Sequence, residues 1–235
     1  MPEIKKPAPL VWDAIGEKLY ETGVKKGVLF PMVNGTYGEG VAWSGLSAVN
    51  ESPSGAEPTK VYADDINYLT MFSAEEYSYT IEAYQSPVEF DECDGTAEVA
   101  PGVTIRQQER KQFGFSYVTT LGNDTEGNDY GYIIHLVYNG KASPSEKSHS
   151  SVNESPEAST LSWSVSTTPV NVKGYKPTSV MEINSTTVDA DKLAAFEKIL
   201  YGSETAASKL MSIDEIIEFF GGASGAGGES GIGTV

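Results

Sequence analysis

The side chains able to do chemistry are few and scattered. The chain carries two histidines, His135 and His149, and one cysteine, Cys93. A His/Cys metal site needs clustered ligands, and one thiol with two distant imidazoles does not supply them. His135 stands between Ile134 and Leu136 in an alternating stretch, opposite the face made by Tyr132, Ile134, Leu136 and Tyr138, and reads as a structural or surface histidine. His149, in Ser148-His149-Ser150-Ser151, reads as solvated. The members of a Ser-His-Asp triad can lie far apart in sequence, so spacing alone is silent on one. A nucleophile elbow would leave Gly-x-Ser-x-Gly at a strand-turn-helix junction; Gly221-Gly222-Ala223-Ser224-Gly225 instead follows a helical pattern and enters a Gly-rich end.

The acidic turns fare no better as designed sites. Asp91-Glu92-Cys93-Asp94-Gly95 and the stretch from Asp124 to Asp129 both miss the ligand spacing of a calcium loop. Either offers at most a weak cation site. Gly35 to Gly40 resembles a phosphate loop in composition only, since no Lys-Ser/Thr follows. The expectation is a protein that is not an enzyme and has no cofactor and no designed metal site.

The charge balance narrows the function further. Lys+Arg is 16 and Asp+Glu is 33, a net charge of −17 over 235 residues. Such a surface repels phosphate backbones, which argues against simple nucleic-acid binding. It serves solubility, or it forms a surface that nucleic acid passes without sticking. Hydrophobic residues make up 39%, enough for a folded core. No apolar run approaches the roughly 20 residues that span a bilayer. Met1 to Leu10 holds three prolines and no apolar signal segment, and Cys93 has no internal partner for a disulfide. Folding in a cytoplasm is expected. Asn-x-Ser/Thr triplets at Asn34, Asn50, Asn123, Asn153 and Asn184 then read as turn chemistry.

The elements that would carry these residues are mostly strands. Ser78 to Gln85 alternates, with Tyr79, Ile81 and Ala83 on one face and Glu82 on the other. Gln112 to Thr120 groups Phe113, Phe115 and Tyr117, Tyr130 to Tyr138 groups Tyr132, Ile134, Leu136 and Tyr138, and Thr160 to Thr168 groups Leu161, Trp163 and Val165. A period of two in β-branched and aromatic residues marks strands. Leu121 to Asp129 predicts a hairpin loop, because Gly, Asn and Asp tolerate positive φ. Further strands are predicted at Leu10 to Ile15, Val28 to Met32, Ala42 to Val49 and Ser179 to Ile183. Many strands without interleaved helices predict a mainly β fold, a sandwich or barrel. A short helical turn is placed at Pro87 to Glu92. Two helices come late. Asp189 to Tyr201 has the stripe Leu193, Phe196, Leu200 and a stop at Gly202. Ser212 to Phe220 opens on a Ser212/Glu215 capping box.

Residues 53–76 form a connection longer than the roughly 12–15 residues usual for loops. It carries Tyr62, Ile66, Tyr68, Leu69, Met71 and Phe72. Two readings are open: a loop folded over its own core, or an arm that packs on another subunit, since interface cores favour aromatics and Met. The pentapeptide Val49-Asn50-Glu51-Ser52-Pro53 recurs as Val152-Asn153-Glu154-Ser155-Pro156, by coincidence or as one turn in two related halves. The end, residues 221–235, is Gly/Ala/Ser-rich and is expected to be mobile in the isolated chain.

Several segments in order resemble the major tail tube proteins of long-tailed bacteriophages. They are Asp64-Asp65-Ile66-Asn67-Tyr68 leading to Glu75-Glu76-Tyr77-Ser78-Tyr79-Thr80-Ile81-Glu82-Ala83-Tyr84, then Val88-Glu89-Phe90 and Phe113-Gly114-Phe115-Ser116-Tyr117. Tyr132 to Tyr138, Leu161 to Pro169 and the closing Ser212 to Phe220 continue the likeness. The resemblance implies a single domain over residues 1–220, a β-sandwich with a flanking α-helix and a second short C-terminal helix. It also implies six copies in a ring and rings stacked into a virion tail tube assembled in the host cytoplasm. Partners would be further copies of the chain and the tape measure, tail terminator and distal tail proteins, with DNA passing unbound and no membrane involved. The arm, through the six apolar residues named above, would make the ring-to-ring contact. Glu75, Glu76 and Glu82 would face an acidic lumen. The competing reading is a carbohydrate-binding or adhesion β-sandwich that stacks Tyr and Trp on sugars, with Trp43 and Trp163 as the reporters.

Overall fold

The computed structural model describes residues 9–55, 57–147, 149, 151 and 158–221. The first strands are β1 (Leu19–Val33), β2 (Thr36–Tyr37), β3 (Val41–Trp43), β4 (Leu46–Glu51), β5 (Ser54–Gly55), β6 (Pro58–Ala63), β7 (Ile66–Phe72), β8 (Glu75–Glu76) and β9 (Ser78–Ala83). A single helical turn at Val88–Phe90 precedes β10 (Thr96–Ala100), β11 (Val103–Arg106), β12 (Phe113–Asn123), β13 (Gly127–Ala142), β14 (Leu161–Thr167) and β15 (Val180–Asn184). The helices α1 (Ala190–Leu200) and α2 (Ile213–Gly221) close the chain.

A nine-stranded antiparallel sheet runs β2-β1-β12-β13-β14-β9-β4, with β15 also on β13 and β3 also on β1. The long β13 explains how one sheet becomes a sandwich. Its residues Ile133 to Val137 pair with β15, whereas Gly140 to Ala142, farther along the same strand, pair with β14. The sheet divides there, and the β14-β9-β4 part folds over β1, β12 and β13. Between them lies an aromatic core of Leu29, Trp43, Tyr79, Ile81, Phe113, Phe115, Val137, Trp163 and Val165. Tyr79 of β9 stacks on Phe115 of β12 at 6.1 Å, across the two layers.

Helices α1 and α2 cover the opposite side of β1, β12 and β13. Val28, Phe30, Val118, Ile134, Leu136 and Tyr138 meet Leu193, Phe196, Leu200, Ile213 and Ile216 there. The middle layer is therefore buried on both faces, and only small side chains fit some positions. A Cβ on Gly114 would come within 2.3 Å of Leu210 Cδ2. The result is a β-sandwich with two helices on one side, one of the two mainly β architectures the patterning allows and the one the resemblance implies.

The helix ends follow their local signals. Asp189 caps α1 by accepting from the Lys192 amide at 3.0 Å, and Gly202 leaves the helix at φ 82°. At α2 the Ser212 amide donates to Glu215 at 2.7 Å, while the Glu215 amide donates back to Ser212 Oγ at 3.3 Å. The Lys209 ammonium, and then the Ser212 amide, hold the Glu215 carboxyl below its ordinary value. A depressed carboxylate stabilises the fold above its unfolded pKa, and that contribution is lost as the pH falls through the folded one. Ser212→Ala should lower stability by about 1 kcal/mol in thermal denaturation; an unchanged midpoint would show the cap to be idle.

The structure corrects several expectations. Leu10 to Ile15 is not a strand: Asp13 and Gly16 take φ values of 56° and 87°, which break extension, and none of the described strands pairs with the segment. Ala42 to Val49 divides into β3 and β4 at Gly45, φ 82°. The strand at Val28 to Met32 begins nine residues earlier, at Leu19, through two register shifts near Lys25. Residues 53–76 are not an irregular loop. They fold as the β6–β7 hairpin on a short β5–β8 stem. The turn Asp64-Asp65 has both φ positive, at 50° and 60°, the conformation of a tight hairpin turn. The loop at Leu121 to Asp129 shrinks to Asp124-Thr125-Glu126, because Asn123 Oδ1 accepts from the Thr125 and Glu126 amides. The hairpin β10–β11 is an addition the sequence reading lacks. The second copy of the pentapeptide, Val152 to Pro156, and the tail beyond Gly221 lie outside the described residues.

Candidate functional site

Six exposed apolar side chains gather on the β6–β7 hairpin. Among the described strands, β6 and β7 pair only with each other, and all seven β7 residues are exposed. Phe72 is 70% exposed, Tyr68 67%, Tyr62 66% and Ile66 63%; Met71 and Leu69 follow. Alternation puts Ile66, Tyr68 and Phe72 on one side of the hairpin and Leu69 and Met71 on the other. The predicted contact residues thus share one element and cover both its faces. A second uncovered apolar segment precedes β1, where Leu10, Val11, Trp12 and Ile15 are all at least three-quarters exposed.

The acidic residues assigned to a lumen do not share one element. Glu82 lies on β9 in the main sheet, on the face away from Tyr79, Ile81 and Ala83 as its register predicts, and accepts from Asn50 Nδ2 at 3.2 Å. Glu75 and Glu76 lie on β8, outside that sheet, at the base of the arm, and both are exposed.

A cluster that sequence reasoning missed surrounds His135. The imidazole is 4% exposed and lies parallel to the Tyr117 ring, centroids 4.5 Å apart. Thr119 Oγ1 is 2.8 Å from Nε2, and Glu21 is 3.4 Å from the same nitrogen. On the other side Nδ1 has Glu182 at 3.5 Å and Glu51 at 3.9 Å. The Tyr117 hydroxyl donates to Glu51 at 2.6 Å, and burial with this bond raises its pKa far above the usual phenol range, so it stays a donor. Glu21, Glu51, His135 and Glu182 come from β1, β4, β13 and β15. No spacing in the chain marks them; the sequence signal is a histidine between Ile134 and Leu136, on the side of an alternating strand opposite its apolar face.

Positive charge concentrates in a cleft of about 590 Å³ that includes Arg106, Arg110 and Lys147 around Asp94. Lys147 bonds Asp94 at 2.7 Å and lies over the Trp163 ring at 5.6 Å. Nearby Cys93 is buried, and burial followed by Glu92 pushes its thiol up to about 12, which leaves no thiolate for nucleophilic work near neutrality. Trp43 and Trp163 are 2% and 0% exposed, so neither can stack on a sugar from solution, contrary to the carbohydrate-binding expectation. Among the described residues no helix is long and apolar enough to cross a membrane. Neither the protein-family models nor the curated proteins compared with this chain give a match.

Proposed function

We propose that this chain is a structural subunit that assembles with copies of itself, and that the assembly is the tail tube of a long-tailed bacteriophage. In this reading six copies close a ring and rings stack into a tube within the virion tail. The tube conducts DNA without binding it and meets tape measure, terminator and distal tail proteins at its centre and ends. The chain has no catalytic task.

One observation carries the reading: the two-stranded β6–β7 hairpin displays Tyr62, Ile66, Tyr68, Leu69, Met71 and Phe72 to solvent on both faces. An isolated hairpin is marginal in water. Aromatic and Met side chains on such an element gain when a partner desolvates them. A second copy is the partner at hand, and the exposed Leu10 to Ile15 segment offers another surface of the same kind. The net charge of −17 supports a conduit for DNA, because a wall of carboxylates offers phosphate nothing to bind.

The same charge makes assembly salt-dependent. Like-charged subunits repel, and at about 0.15 M salt the Debye length is near 8 Å, so added salt screens that repulsion and leaves the apolar contacts. Purified protein at high concentration should form rings or tubes under electron microscopy, and sedimentation should show more polymer in 0.5 M salt than in 0.1 M (about a fivefold step in ionic strength). A chain that stays monomeric throughout, or a polymer that dissolves as salt is added, contradicts the proposal.

A further inference from the structure

His135 has an unsatisfied side. Its Nε2 has Thr119 Oγ1 at 2.8 Å and the Glu21 carboxylate at 3.4 Å, so a ring proton on that nitrogen finds an acceptor. With the proton there, Nδ1 turns a lone pair toward Glu182 and Glu51. It is buried and has no hydrogen-bond partner among the described residues. The separations of 3.5 Å and 3.9 Å are too long for hydrogen bonds. An acceptor nitrogen facing two carboxylates is repulsive unless a cation lies between them. The His135–Glu182 distance suits one, since two ligands each about 2.1 Å from a tetrahedral ion stand about 3.4 Å apart, and Glu51, at 3.9 Å, would draw in slightly to join them.

We infer that Glu51, His135 Nδ1 and Glu182 form a divalent metal site of the zinc class. One nitrogen and two carboxylate oxygens, all within 4.8 Å of one another, are a donor set for a borderline transition ion rather than for calcium, which takes six or more oxygens. The surroundings are those of a built site. Thr119 and Glu21 face Nε2, Tyr117 stacks on the ring and bonds Glu51, and the exposure of Glu182 leaves room for a water as fourth ligand. Glu51 lies on β4, in one layer of the sandwich, and His135 and Glu182 lie on β13 and β15, in the other. The ion would clip the two layers together at the rim of the aromatic core. This site is independent of the tube reading, and its test uses no assembly.

The full chain is titrated with Zn²⁺ alone and with Co²⁺ as the spectroscopic probe. One saturable ion per chain is expected, with the visible absorption of four-coordinate cobalt and a thermal midpoint that rises in Zn²⁺ and falls back with a chelator. Mg²⁺ should not reproduce the shift. Glu182→Gln, at a partly exposed position that should fold normally, is expected to weaken Co²⁺ binding by more than about tenfold. His135→Gln should do at least as much, and Glu204→Gln, in an exposed turn away from the cluster, should do nothing. Absence of saturable binding, or equal affinity in wild type and Glu182→Gln, overturns the inference.

Discussion

A chain in which residues 58–72 are replaced by a short Gly-Ser turn is expected to fold normally and to lose polymerisation entirely. The β6–β7 hairpin contributes no residue to either buried core. Its strands bond only to each other, and its β5–β8 stem stays in place to close the shorter turn. The monomer therefore gives up a marginal element and little else, and its thermal midpoint should move only slightly. The assembly gives up the aromatic anchors of a contact repeated at every subunit. Single truncations of such anchors commonly cost 2 kcal/mol or more per contact, by order of magnitude roughly thirtyfold in affinity. Phe72→Ser and Tyr68→Ser should each move the critical concentration for polymer upward, as read by sedimentation. Tubes of normal length from the deleted chain would show that the arm is not the joint.

Trp163→Ala is expected to lower the stability of the monomer by about 3–5 kcal/mol, the loss usual when a large aromatic is truncated in a core. Trp163 is completely buried between the two layers, with the Trp43 ring 5.5 Å away and the Phe90 ring 5.3 Å away. β14 pairs with β13 through three residues only, so packing through this indole holds β14-β9-β4 over the middle layer. Truncation leaves a cavity that its rigid aromatic neighbours fill poorly. Urea unfolding of the assembly-deficient chain measures the loss cleanly. Trp12→Ala, at a site 75% exposed, should stay within about 0.5 kcal/mol of the parent. A similar small effect at Trp163 would mean that the two layers do not depend on the shared aromatic core.

Local patterning alone determined a good part of this molecule. Alternation identified β9, β12, β13 and β14 and one buried side of each, because a strand's side-chain period is a property of its own backbone; that β12 and β13 are buried on both sides came only from the helices packed behind them. The capping box at Ser212 and Glu215 and the stop at Gly202 marked helix ends for the same reason, since their bonds close within a few residues. Tertiary structure decided the rest. The apolar residues around Tyr68 read as a long connection and could not say that they fold as a hairpin or whether it would be covered, and Leu10 to Ile15 has strand-like residues but pairs with none of the described strands. The division of β13 between β14 and β15 made a sandwich from one sheet. The same pairing brought Glu21, Glu51 and Glu182 to His135 from strands far apart in the chain. Register and desolvation depend on residues that are distant in sequence, and no spacing along a single chain encodes which of them will meet.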